Sequence, residues 1–275
     1  MPRFGQVVTA MVTPFAKDGS LNLDGAVRLA KWLQQNGNDG LVLAGTTGES
    51  PTLTDDEKLS LFETVAKAVT IPVIAGTGSN DTAHSVHLTK EASKLGVAGI
   101  LAVCPYYNRP SQAGIEAHIR AMCAATSLPV VIYDIPVRTG RKINTPTLAK
   151  LANEMKNVAG VKDAAGNPGE SARLMTMVPS SFELISGDDG LTLPLMAVGC
   201  TAVIGVATHW SAVDHQEMFA KWNAGDTVGA RKVNARLVES FAFETGDDNP
   251  NPLPSKAMMN HLGLDVGEAR LPMGP

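Results

Sequence analysis

The sequence predicts an α/β fold, a (β/α)8 TIM barrel with a C-terminal helical extension, on three observations. Short apolar runs recur eight times at intervals of roughly thirty residues, the length of a strand–helix–strand repeat. The runs are continuously apolar rather than alternating, as parallel strands covered on both faces are. The stretches between them carry apolar residues at helical spacing. Eight repeats favour closure into a barrel; an open doubly wound sheet is the structural alternative.

The runs are Val7–Met11, Gly40–Ala44, Ile71–Ala75, Gly99–Val103, Pro129–Tyr133, Val158–Val161, Phe182–Ile185 and Ala202–Val206. Between the first two, Leu23, Ala26, Val27, Ala30 and Leu33 lie three and four apart, with Gly37 as a C-terminal stop. Thr54 followed by Glu57 reads as a capping box opening a helix through Leu59, Phe62, Val65 and Val69. The apolar stretch from Leu191 to Ala207 holds Pro194, Gly199 and Gly205 and is shorter than the roughly 20 residues of a membrane span. It reads instead as a buried helix feeding a buried strand. Helical patterns continue past the eighth run, broken by a proline-rich rigid loop from Gly246 to Pro254. The expected division is a catalytic barrel over 1–212 and a helical extension packed on it over 213–275.

Composition excludes several classes. A net charge of −4 with both signs interspersed gives no basic field for nucleic acid or anionic membrane. The first residues lack the apolar core of a signal peptide. Cys104, Cys123 and Cys200 form no CxxC pair and cannot all be bonded to one another, which suits a reduced, cytoplasmic setting.

Barrels of this kind work at the C-terminal ends of their strands. There the chain places Gly45-Thr46-Thr47-Gly48-Glu49-Ser50, Cys104-Pro105-Tyr106-Tyr107, Tyr133-Asp134, Lys162-Asp163 and Gly187-Asp188-Asp189. Lys162 ends an apolar strand, where desolvation disfavours its charge and yields the neutral amine that attack on a carbonyl needs. The plain alternative is a lysine reaching water or pairing with Asp163. Tyr133 can carry a proton in either direction, or can be a buried phenol with its hydroxyl satisfied. Thr46 and Thr47, between glycines, offer hydroxyls and loosened backbone to a carboxylate, or form an ordinary strand-to-helix turn. Arg138, in the loop after strand five, suits bidentate capture of a carboxylate. His84 and His87 show no third metal ligand nearby and read as a solvated helix face. Cys104 reads as apolar filler, and Asp188 and Asp189 as helix N-terminal acids.

The chain resembles the dihydrodipicolinate synthase family of pyruvate-dependent class I aldolases nearly end to end. The matching segments are GTTGES at 45–50, PVIAGTGSN at 72–80, PYYNRPSQ at 105–112, YDIPVRTG at 133–140, GVKDAAGN at 160–167, SGDD at 186–189, NPLP at 251–254 and RLPMGP at 270–275. The resemblance implies condensation of pyruvate with L-aspartate 4-semialdehyde, the first committed step of diaminopimelate and lysine biosynthesis. Lys162 would form the imine. Tyr133, Thr47 and Tyr107 would relay protons, Tyr107 arriving from a neighbouring subunit. Thr46 and Thr47, with backbone near Gly187 and Ile204, would hold the pyruvate carboxylate, and Arg138 that of the semialdehyde. A homotetramer built as a dimer of dimers is implied, and no metal or organic cofactor. The alternative is a sister aldolase acting on N-acetylneuraminate or 2-keto-3-deoxy sugar acids, which generally lacks the arginine.

Three departures stand out. Asp134 replaces a common asparagine and is expected to point away from the pocket. The chain is longer around Gly246–Asn249, in a loop expected to lie remote from the chemistry. In the region resembling the lysine feedback site (Ser50, Pro51, Asp55, Lys58, Asn80, His84 and Tyr106), His84 stands where inhibited relatives place a carboxylate.

Overall fold

The computed structural model describes residues 2–274; Met1, and Pro275 at the end of the RLPMGP run, lie outside the described residues. Eight parallel strands close into a barrel in sequence order: β1 Val7–Ala10, β2 Gly40–Leu43, β3 Val73–Gly76, β4 Gly99–Val103, β5 Val130–Asp134, β6 Val158–Asp163, β7 Glu183–Ser186 and β8 Cys200–Gly205, with β8 paired back to β1. The eight apolar runs thus become the eight strands, shifted by a residue or two at their ends, and the open sheet is excluded.

Helices alternate with the strands: α1 Leu23–Gln35, α2 Asp55–Ala68, α3 Thr82–Ala92, α4 Gln112–Ala124, α5 Pro136–Thr139, α6 Thr145–Glu154, α7 Pro168–Met175, α8 Thr192–Met196 and α9 Thr208–Asn223. Then follow α10 Thr227–Phe243 and α11 Leu253–His261. The local chemistry explains their limits. Asn22 caps α1 by accepting from the Gly25 N–H (2.8 Å), and Gly37 follows its end at φ 92°, a conformation that suits glycine. Thr54 and Glu57 form the reciprocal capping box of α2. The Leu191–Ala207 stretch is α8 running into β8, and no helix of the described residues is long and apolar enough to cross a membrane.

Apolar burial falls into three layers. One fills the space between the barrel and its helices, with Leu29, Leu41, Phe62, Ile100 and Ile119 among its members. A second fills the barrel interior through Val8, Val42, Ile74, Leu101, Val131, Tyr133, Ile185 and Ile204. A third joins Val7 and Val203 to α9 and α10 through Met218, Phe219, Val233 and Leu237. Plugging the interior with bulky side chains leaves the mouth above β-strand C-termini as the space for a ligand.

Candidate active site

Strand register sets the centre of this mouth. Tyr133 on β5 lies opposite Lys162 on β6, and Lys162 opposite Ile185 on β7, so the three side chains share the interior face. The Lys162 Nζ sits 4.2 Å from the centre of the Tyr133 ring, and both residues are buried. Burial holds the Lys162 ammonium down to about 8 against opposing pull from Asp189 and Glu244, and Arg138 lowers it further. A substantial share of neutral amine at physiological pH follows. Burial drives the Tyr133 phenol above its usual range, while Arg138 and a hydrogen bond to Thr46 work against that rise.

A cavity of about 400 Å³ opens over Tyr133. Gly45 and Thr46 after β2, Tyr106 and Tyr107 after β4, Tyr133, and Arg138 on α5 all contribute to its wall. Pro272 and Met273 from the C-terminal segment close one side. Arg138 is exposed at its edge, where a guanidinium stays free to meet an anion. Tyr107 is 88% exposed and adopts φ 72°, a left-handed conformation uncommon outside glycine.

The two threonines part company. Thr46 lines the cavity together with Tyr133. Thr47 is buried behind it, and its Oγ1 accepts from Asn251 Nδ2 at 2.8 Å. Of the two, Thr46 shares the cavity wall with Tyr133, while Thr47, the residue expected in the relay, is paired with Asn251. The Gly187 N–H is taken by the Asp163 carbonyl (2.8 Å), and a Cβ at this position would come within 2.9 Å of Lys162 Cγ. Glycine here makes room for the lysine stem rather than offering a free donor. Ile204 is buried within the barrel packing.

Asp134 turns away from the cavity, accepting from the Ile143 N–H (3.1 Å) with Lys142 near its other oxygen (3.3 Å). Cys104 is buried filler whose thiol is pushed up to about 12, chiefly by burial. Asp188 does cap a 3₁₀ turn, accepting from the Leu191 N–H (3.2 Å), but Asp189 does not: it accepts from Val206 N at 2.7 Å. His84 Nε2 lies 2.8 Å from Asp55 and His87 is exposed, so the two histidines do not share a ligand position.

The C-terminal segments were the least visible part of the site. The flanks of the 246–249 loop are not remote: Glu244 accepts from the Ala207 N–H (2.8 Å) beside Asp189, and Asn251 grips Thr47. Lys256 on α11 makes a buried ion pair with Glu49 (2.7 Å), and the Arg270 N–H donates to the other Glu49 oxygen (2.8 Å). The GTTGES loop is thereby held by residues more than two hundred positions away in sequence.

A buried, partly neutral lysine at a barrel mouth, beside a phenol and below a free guanidinium, is the equipment of a lysine-dependent class I aldolase. Comparison with known proteins narrows this. The Dihydrodipicolinate synthetase family matches residues 3–275. A 4-hydroxy-tetrahydrodipicolinate synthase of Moorella thermoacetica is 49% identical, covering 98% of this chain and 92% of its own, and that of Bacillus subtilis is 43% identical, covering 99% and 94%. A dihydrodipicolinate synthase structure from Bacillus anthracis superposes with a TM-score of 0.96 at 42% identity, covering 100% of this chain and 94% of that one. One from Cyanidioschyzon merolae, with lysine bound, gives 0.97 at 41% identity, covering 100% and 93%. The chain belongs to the dihydrodipicolinate synthetase family.

Proposed function

We propose that this barrel is a lyase that condenses pyruvate with L-aspartate 4-semialdehyde to 4-hydroxy-tetrahydrodipicolinate through an imine on Lys162. The observation that carries this reading is the buried Lys162 amine, held at about 8 and stacked on Tyr133. Neutral Lys162 adds to the pyruvate ketone carbon, and loss of water leaves a protonated imine. Loss of a methyl proton then gives the enamine, the phenol of Tyr133 passing protons through Thr46 and through Tyr107 of a neighbouring subunit. The enamine carbon attacks the aldehyde of the second substrate, whose carboxylate Arg138 holds. Addition of the substrate amine to the imine carbon closes the ring and expels Lys162 as the free amine. The protein supplies proximity and placed charge, and no step calls for a metal or organic cofactor.

Thr46 and the Gly45–Gly48 backbone are the groups best placed for the pyruvate carboxylate. The wall position of Arg138 favours the semialdehyde over the neutral aldehyde of a sugar in a sister aldolase. A homotetramer built as a dimer of dimers is supported by the exposure of Tyr107, Val137 and Leu271, large side chains that a second subunit would cover. Three buried free thiols suit a reducing cytoplasm. The division proposed is a barrel over 1–212 and a helical extension over 213–275, although the boundary falls within α9 and the extension's Pro272 and Met273 line the cavity.

Borohydride reduction in the presence of pyruvate, followed by peptide mass analysis, is expected to place a covalent adduct on Lys162. kcat/KM measured in parallel with the semialdehyde, N-acetylmannosamine and glyceraldehyde is expected to favour the semialdehyde by orders of magnitude. Preference for a sugar aldehyde would transfer the chain to a sister aldolase activity.

A further inference from the structure

Two carboxyl groups that the imine chemistry leaves unused stand side by side behind the lysine. Asp189 Oδ2 accepts from the Val206 N–H at 2.7 Å, and Glu244 Oε2 accepts from the next N–H, that of Ala207, at 2.8 Å. Consecutive amides thus hold both groups within hydrogen-bond reach of each other. Both residues are more than nine-tenths buried, and Asp189 Oδ1 has no hydrogen-bond partner. The space is made on purpose for this oxygen: a Cβ on Gly205 would come within 2.4 Å of it.

Two fully charged carboxylates at this distance in a buried site repel strongly, so one of them keeps a proton. The charged and titratable groups around them are few. Asp188 lies alongside, and Lys162 feels the charge of both, with Arg138 acting on Lys162 as well. From α9, His215 brings Nε2 to 3.5 Å of Asp189 Oδ1. The His215 Nδ1 lies 2.9 Å from the Ser211 carbonyl, which assigns the ring proton there and leaves Nε2 without a hydrogen-bond partner.

We propose that Asp189 and Glu244 hold one proton between them and present a single buried negative charge to the Lys162 nitrogen, acting as the counter-ion of the cationic imine. The inference rests on the imine-forming reading above and adds positioning residues to it. Neither group touches substrate; they act through Lys162. Burial and the nearness of Asp189 raise Glu244 to about 10, which makes Glu244 the member that carries the proton. A shared single charge has the right size for the task. Full charge on both groups would keep Lys162 protonated and unreactive, and none would leave the imine cation without compensation in a low-dielectric mouth.

The test follows borohydride trapping with pyruvate across pH. In the parent enzyme the adduct on Lys162 rises with pH along a limb set by the amine. D189N/E244Q removes the charge, so the lysine gives up its proton more readily and the limb moves about one unit to lower pH. An adduct in the parent with an unmoved limb in a folded double variant overturns the counter-ion. No adduct in the parent removes the imine reading and the counter-ion together. The parent alone supplies a second measurement that does not depend on the variant folding. Infrared difference spectra at pH 8 are expected to show a protonated-carboxyl band that shifts when glutamate carries ¹³C at its side-chain carboxyl. Absence of that band overturns the shared proton.

Discussion

The pair formed by Lys256 and Glu49 invites a direct perturbation. Their side chains are 3% and 0% exposed and 2.7 Å apart. Lys256 Nζ also donates to the Glu268 carbonyl (2.8 Å) and stacks 4.1 Å from the Phe15 ring. Lys256→Met keeps the volume of the stem but leaves the Glu49 carboxylate buried with the Arg270 N–H as its remaining donor. Breaking a buried pair from one side costs about 3–5 kcal/mol. At about 2–4 °C per kcal/mol for a domain of this size, the melting temperature should fall by about 6–20 °C. Adding Glu49→Gln removes the stranded charge, and the double variant should recover about 1–3 kcal/mol of the loss. Urea denaturation followed by tryptophan fluorescence and circular dichroism measures all four corners of the cycle. A Lys256→Met protein within about 1 kcal/mol of the parent, or a double variant no more stable than Lys256→Met, would refute the reasoning.

Other expectations concern activity. Because the Lys162 ammonium titrates at about 8, imine formation should climb with pH up to that value and fall about tenfold per unit well below it; a trapping profile flat from pH 6 to 9 would contradict this. Arg138→Ala should cut kcat/KM for the semialdehyde by about 10²-fold or more while leaving pyruvate adduct formation within a few-fold, since a lost charge-assisted pair is worth about 1.5–3 kcal/mol or more; equal loss in both would remove the assigned role. With the His84 ring already engaged by Asp55 at 2.8 Å and no carboxylate in its place, L-lysine should inhibit weakly or not at all. Half-inhibition at submillimolar lysine in a turnover assay would refute that.

How much of this was legible beforehand follows from the range of the contacts. The eight strands show in the sequence because each is a local apolar run. Lys162 and Tyr133 show because each directly ends such a run, and parallel register then sets them side by side. The choice between Thr46 and Thr47 does not show, because successive residues leaving a strand face opposite ways and only the packed structure says which faces the cavity. Glu244 and Asn251 sit in or next to a loop that reads as irregular. Their roles come from contacts with Asp189 and Thr47 across most of the chain, and no periodicity records such distances.

Those same distances impose an order on events during synthesis. The loop at 45–50 leaves the ribosome early, yet its fastenings, Asn251 on Thr47 and Arg270 on Glu49, lie 204 and 221 residues downstream. Strands and helices of the first half can pair locally as they emerge, whereas the threonine turn has no partner for its buried carboxylate until translation of this region is almost done. Contacts of such sequence separation are slow to close. A nascent barrel therefore carries a folded scaffold around an unset mouth, and competence for chemistry arrives as a late event, when the distal helix swings in and locks the turn.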